Sequence, residues 1–140
     1  MRRLLSFLGV VFVANASGMV LAQPMSTPTR AAIAGTWANP KDSVRVATGP
    51  CGEFLCGWVV AANAEAVRDA REAGTVQLIG TRLLENYRQI APASWRGRVF
   101  LPDRGSSYYS TIRQLSTDEI RISGCILGGW ICKSQVWHRA

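Results

Sequence analysis

Apolar and polar positions alternate along much of the chain. Val44-Arg45-Val46-Ala47-Thr48 repeats with a period of two, which sends successive side chains to opposite faces of a half-buried strand. Residues 108–114 alternate in the same way, and so does Glu119-Ile120-Arg121-Ile122-Ser123. Residues 33–37, 56–61, 81–85, 94–100 and 133–139 read as further strands, several of them rich in Val, Ile, Leu and Trp. Turn residues separate them: Asn39-Pro40-Lys41-Asp42-Ser43, Gly49-Pro50, Leu101-Pro102-Asp103-Arg104-Gly105 and Ser116-Thr117-Asp118. Residues 86–93 read as a connector between two strands. About eight short strands, with turns roughly every 8–12 residues, predict an all-β sandwich or barrel. A single antiparallel β-barrel is the economical form, because an open sheet leaves two unpaired edges. About eight strands can close around a packed interior or one small ligand.

One stretch breaks the alternation. Ala64, Glu65, Ala66, Arg68, Ala70, Arg71 and Glu72 are good helix formers. Asn63 is placed to cap them, and Gly74 to stop them. This predicts one short helix near 64–73. Its apolar residues are nearly all Ala, so it is expected as a lid or edge cover rather than a core element.

Two cysteine-bounded turns frame the barrel: Pro50-Cys51-Gly52-Glu53-Phe54-Leu55-Cys56 and Cys125-Ile126-Leu127-Gly128-Gly129-Trp130-Ile131-Cys132. Four cysteines in an exported chain of this size point to disulfides. Local pairing, Cys51 with Cys56 and Cys125 with Cys132, is the first expectation. Long bridges between the two turns are the alternative. The spacings miss the Cys-x-x-Cys of redox pairs and common zinc sites.

Export itself is read from the N-terminus. Arg2 and Arg3 precede an apolar run at 4–13 and then small residues, the arrangement of a signal peptide. Cleavage fits after Ala16 or Ala22, and Ala22 leaves the less greasy mature end. The apolar run is shorter than the roughly 20 residues of a membrane span. Residues 1–22 are therefore expected as a signal peptide, 23–32 as a flexible leader and 33–140 as the barrel domain, periplasmic or secreted. Beyond the signal, 14 basic residues face 9 acidic ones, a net of +5. Twelve of the 14 are arginines, scattered without a Lys/Arg cluster, and no nucleic-acid partner is expected.

Catalytic patterns are sparse. His138 is the only histidine and has no nucleophile motif beside it. There is no nucleophile elbow, phosphate loop or HExxH. Asp42, Asp103 and Asp118 sit in turns, where carboxylates bond local backbone, and Glu53 sits at a hairpin tip. Neither an enzyme, a metal site nor a cofactor is expected. Trp37, Trp58, Trp95 and Trp137 lie on or beside strands and are expected to fill the interior. Tyr108 and Tyr109 are neighbours on one strand, so one faces in and the other out.

Gly35-x-Trp37, Pro50-Cys51-Gly52-x-x-Leu55-Cys56-Gly57 and the ending Gly124-Cys125…Cys132-Lys133-Ser134-Gln135-Val136-Trp137-His138-Arg139 resemble the exported bacterial family catalogued as domain of unknown function 2147. The resemblance covers about residues 33–140. Members of that family carry an Asn- and Asp-rich acidic segment where this chain has its Ala-rich 63–74. The resemblance implies a calycin-type barrel, like lipocalins and fatty-acid-binding proteins, and no agreed activity. It also implies a late arginine over the first-strand tryptophan. Arg139 over Trp37 is the expected pair, with Arg121 the rival. The function expected is a non-enzymatic barrel that binds a small, partly apolar ligand lined by Trp58, Trp95, Tyr108 or Tyr109, and Ile112. The alternative is a filled barrel acting as an envelope interaction or stress-protection module.

Overall fold

The computed structural model describes residues 33–126 and 131–140. The expected signal peptide and leader lie outside the described residues, as does Trp130. Eight strands follow in order: β1 (Gly35–Ala38), β2 (Val44–Cys51), β3 (Phe54–Ala62), β4 (Arg82–Ala91), β5 (Ser94–Leu101), β6 (Ser106–Gln114), β7 (Glu119–Ile126) and β8 (Ile131–Arg139). Each pairs antiparallel with its neighbour, and β8 returns to β1, so the sheet is a closed barrel. One helix, α1 (Ala64–Glu72), joins β3 to β4.

Several local rules act as the sequence implies. Asn63 caps α1 by accepting a hydrogen bond from the Ala66 N–H. The helix packs at the barrel end formed by Val44, Ala62, Leu101 and Tyr108, with Ala70 buried and Ala66 and Val67 half-buried. Both disulfides are local, Cys51–Cys56 and Cys125–Cys132. The first ties β2 to β3 near their shared turn, and the second joins directly opposed residues of β7 and β8 at the other end of the barrel.

Two expected strand ends move. Gly49-Pro50 does not stop β2, because Pro50 pairs with Leu55 and Cys51 with Phe54, so the hairpin tip is only Gly52-Glu53. Pro50 lies beyond the last residue of β2 that pairs with β1, at the edge position where proline is tolerated in a sheet. Gly52 supplies the left-handed conformation of that tip, with φ of 65°. Likewise 86–93 is mostly strand, since β4 runs through to Ala91. Asn86 adopts φ of 50° and the β4–β5 register shifts between Glu85 and Arg88. That irregularity breaks the alternation while the ladder continues, and it adds the local twist that a small barrel needs.

Closure rests on a short seam. Only Trp37↔Arg139 and Ala38↔His138 pair β1 with β8. Side-chain contacts reinforce it. The Arg139 guanidinium lies 4.3 Å from the Trp37 ring centroid. It donates to the Thr117 carbonyl at 2.9 Å and the Ala34 carbonyl at 3.2 Å. Arg121, the rival, is exposed and on the outer face. Gly35 has φ of 145°, and a Cβ there would collide with Arg139 Nη1. The Gly-x-Trp pattern therefore has a steric reason: glycine leaves room for the arginine that covers the tryptophan.

Gly35→Ala is expected to lower the unfolding free energy by about 2–4 kcal/mol, from backbone strain plus overpacking. Arg139→Ala is expected to cost about 1–3 kcal/mol. Combining them should cost less than the sum, because the second change removes the collision made by the first. Urea denaturation of the three variants tests this double-mutant cycle.

Candidate functional site

Strand parity sets what faces inward. On β5 it is Trp95, Gly97 and Val99, and on β6 it is Tyr108, Ser110 and Ile112, as their cross-strand pairing requires. Trp95 and Ile112 are fully buried, and Tyr108 is half-buried near the helix-covered mouth. Two sequence-derived candidates face the other way. Trp58 pairs with Ala47 and Arg82 on the outer wall, with the Arg82 guanidinium 5.8 Å from its ring. Tyr109 is 73% exposed, with Arg98 5.1 Å from its ring. Both are corrections. Gly57 and Tyr108 hold the inward positions beside them, and an odd offset along a strand reverses the face.

Across the barrel wall runs a row of small inward positions: Gly97 on β5, Ser110 opposite it on β6, and Gly124 opposite Ser110 on β7. Tyr87 of β4 lies against this row. A Cβ on Gly97 would come within 2.7 Å of Tyr87 Cγ, so the ring occupies the space glycine leaves. Tyr87 is fully buried and Ser110 is 4% exposed. Neither was marked by alternation. The bulge at Asn86 hid Tyr87. Ser110 was visible as a polar residue sharing the parity of Tyr108 and Ile112.

The interior is mostly apolar, and most of its polar atoms are matched. Trp37 Nε1 donates to the Ile33 carbonyl and to Thr48 Oγ1. Trp137 Nε1 donates to Gln135 Oε1. Among the described residues, three buried groups able to donate are different: the Tyr87 hydroxyl, Trp95 Nε1 and Ser110 Oγ have no hydrogen-bond partner. The Ser110 hydroxyl lies close enough to Tyr87 to influence its ionisation, but the two do not meet in hydrogen-bond geometry. Burial pushes the Tyr87 phenol well above the usual tyrosine range. The Ser110 hydroxyl opposes that shift, and the Glu85 carboxylate adds to it. All three orphan groups can donate, and all three sit on the inner wall of neighbouring strands. An unmatched buried donor costs roughly 1–3 kcal/mol, so this patch favours an oxygen acceptor.

Residues 35–139 match the family described as uncharacterized protein conserved in bacteria (DUF2147). The chain belongs to the DUF2147 family. The match begins at Gly35 and ends at Arg139, the two residues that meet at the seam. No curated protein matches this DUF2147 chain. Among solved structures it is similar to protein HP1028 from the human pathogen Helicobacter pylori, described as belonging to the lipocalin family. The TM-score is 0.59 at 12% identity, covering 76% of this chain and 82% of that one. The likeness is one of fold: a lipocalin-like closed barrel. Among the described residues of this DUF2147 barrel, no group of three His, Cys, Asp or Glu side chains gathers to hold a metal. His138 lies on the outer wall, 3.5 Å from Glu119.

The Tyr87 environment has a pH consequence. Above about pH 10 the unfolded chain loses this phenolic proton while the fold retains it, so stability should fall as pH rises. Chemical denaturation across that range should show a steeper alkaline loss in the wild type than in Tyr87→Phe.

Proposed function

We propose that this DUF2147 protein is a non-enzymatic, exported binding protein. Its ligand is a small, partly apolar molecule with a carbonyl or carboxylate oxygen that accepts from Tyr87, Trp95 and Ser110. The observation that carries this reading is the set of three unmatched donors inside an otherwise apolar wall. Sites of this kind combine an apolar lining with a few polar groups that fix orientation. Trp95, Ile112 and Tyr108 supply apolar lining, and a small group beside Gly124 would meet only ordinary contacts. Trp37, Trp95, Trp137 and Tyr87 are 0–6% exposed, which argues for a small ligand rather than a long acyl chain. The N-terminal pattern supports periplasmic or secreted placement. So do the two disulfides, which persist in oxidising compartments.

The same close packing of indole rings favours a second reading, a filled barrel that works through its outer surface. Native mass spectrometry of protein purified gently after export separates the two. A bound small molecule, lost in Tyr87→Phe and Ser110→Ala, supports the first. Repeated recovery of empty protein supports the second. In ligand-free protein, Tyr87→Phe should raise stability by about 1–2 kcal/mol, because it deletes an unmatched buried hydroxyl. A variant that loses both ligand and stability would instead give Tyr87 a purely structural role.

A further inference from the structure

The outer wall carries a feature that the interior does not explain. Arg88 of β4 is directly opposite Arg96 of β5, and Arg113 of β6 is directly opposite Arg121 of β7. Arg96 pairs with Thr111, two residues before Arg113, so these two arginines are diagonal neighbours. The four form one row across four strands, roughly 15 Å long at ordinary strand spacing. All four are exposed. Like charges placed directly opposite on a sheet are destabilising, and this sheet holds two such pairs.

Few acids offset the row. Arg88 lies 3.6 Å from Glu53, with both side chains about two-thirds exposed at 67% and 70%. Glu119, two residues from Arg121, faces His138 at 3.5 Å. Glu85 faces Arg98, which also donates to the Ser107 carbonyl. Among the described residues, Arg96, Arg113 and Arg121 have no acidic partner. Their guanidinium groups are open to a partner from outside, and guanidinium binds phosphate in a two-pronged geometry.

Two exposed apolar side chains flank the row at the same end of the barrel. Ile90, 48% exposed, precedes the β4–β5 turn, and Leu115, 39% exposed, begins the β6–β7 turn. A stepped basic row near one end of the barrel, with apolar side chains at the adjacent turns, gives that end the character to meet an anionic surface that also has an apolar layer beneath it. We propose that this end of the barrel docks on the surface of an anionic phospholipid bilayer. The arginine row would meet headgroup phosphates, and Ile90 and Leu115 would enter the interface. This docking does not depend on whether the interior holds a ligand.

Vesicle sedimentation tests it with the protein as recovered after export, keeping the same N-terminus in every variant. Binding is expected to phosphatidylethanolamine–phosphatidylglycerol vesicles, with little to phosphatidylcholine alone, and it should weaken with added salt. Arg113→Gln with Arg121→Gln should weaken partitioning roughly thirtyfold. The same pair should leave the melting temperature unchanged or higher, because it relieves like-charge repulsion. Ile90→Ser with Leu115→Ser should weaken binding without changing its salt dependence. Equal binding to neutral vesicles would overturn the proposal. So would unchanged binding of the arginine variants, or binding to a soluble acidic polysaccharide with none to vesicles.

Discussion

The stack of Arg139 on Trp37 is the contact on which the barrel depends. A sheet of eight short strands gains most by closing, since closure removes both edges. Here the closing strand, β1, is four residues long and shares only two residue pairs with β8. So short a ladder needs reinforcement by side chains. Arg139 provides it by joining β8 to the Trp37 ring, to Ala34 before β1 and to Thr117 before β7. Trp37 in turn donates to Ile33 and Thr48, which fixes the ring that the arginine covers. Gly35 is part of the same device, because its missing Cβ is the space the guanidinium uses.

The rest of the interior follows from how polar atoms are treated once the sheet is closed. Near the seam each indole N–H has an acceptor. At the β4–β5–β6 wall three donors have none. The aromatic side chains of both regions are buried to a similar degree. The same wall carries the small inward residues Gly97, Ser110 and Gly124, with the Tyr87 ring packed over Gly97.

The two disulfides stabilise opposite ends of this shell. Each closes a short loop, so its effect on the unfolded chain is modest, on the order of 2–3 kcal/mol in the loop-entropy view. Cys51–Cys56 steadies the hairpin that extends beyond β1, where no other described strand pairs with β2 on that side. Cys125–Cys132 holds β7 to β8 at the end far from the Arg139 stack, so the last hairpin is fastened at both ends.

The sequence by itself determined much of this protein. Period-two alternation, turn residues and an Asn cap are local, and they marked most strands and the helix close to where they lie. The cysteine spacings favoured the local bridges, and the resemblance carried by Gly35-x-Trp37 implied the late arginine at the seam. Legibility failed where an irregularity changed parity: the bulge at Asn86 hid Tyr87, and the unknown register left Trp58 and Tyr109 as interior candidates. The arginines looked scattered, because Arg88, Arg96, Arg113 and Arg121 are far apart along the chain. Only the tertiary structure made them a row and gathered three unmatched donors on one wall. Register is a property of paired strands, and a single chain read in order carries periodicity but not the alignment that turns distant residues into neighbours.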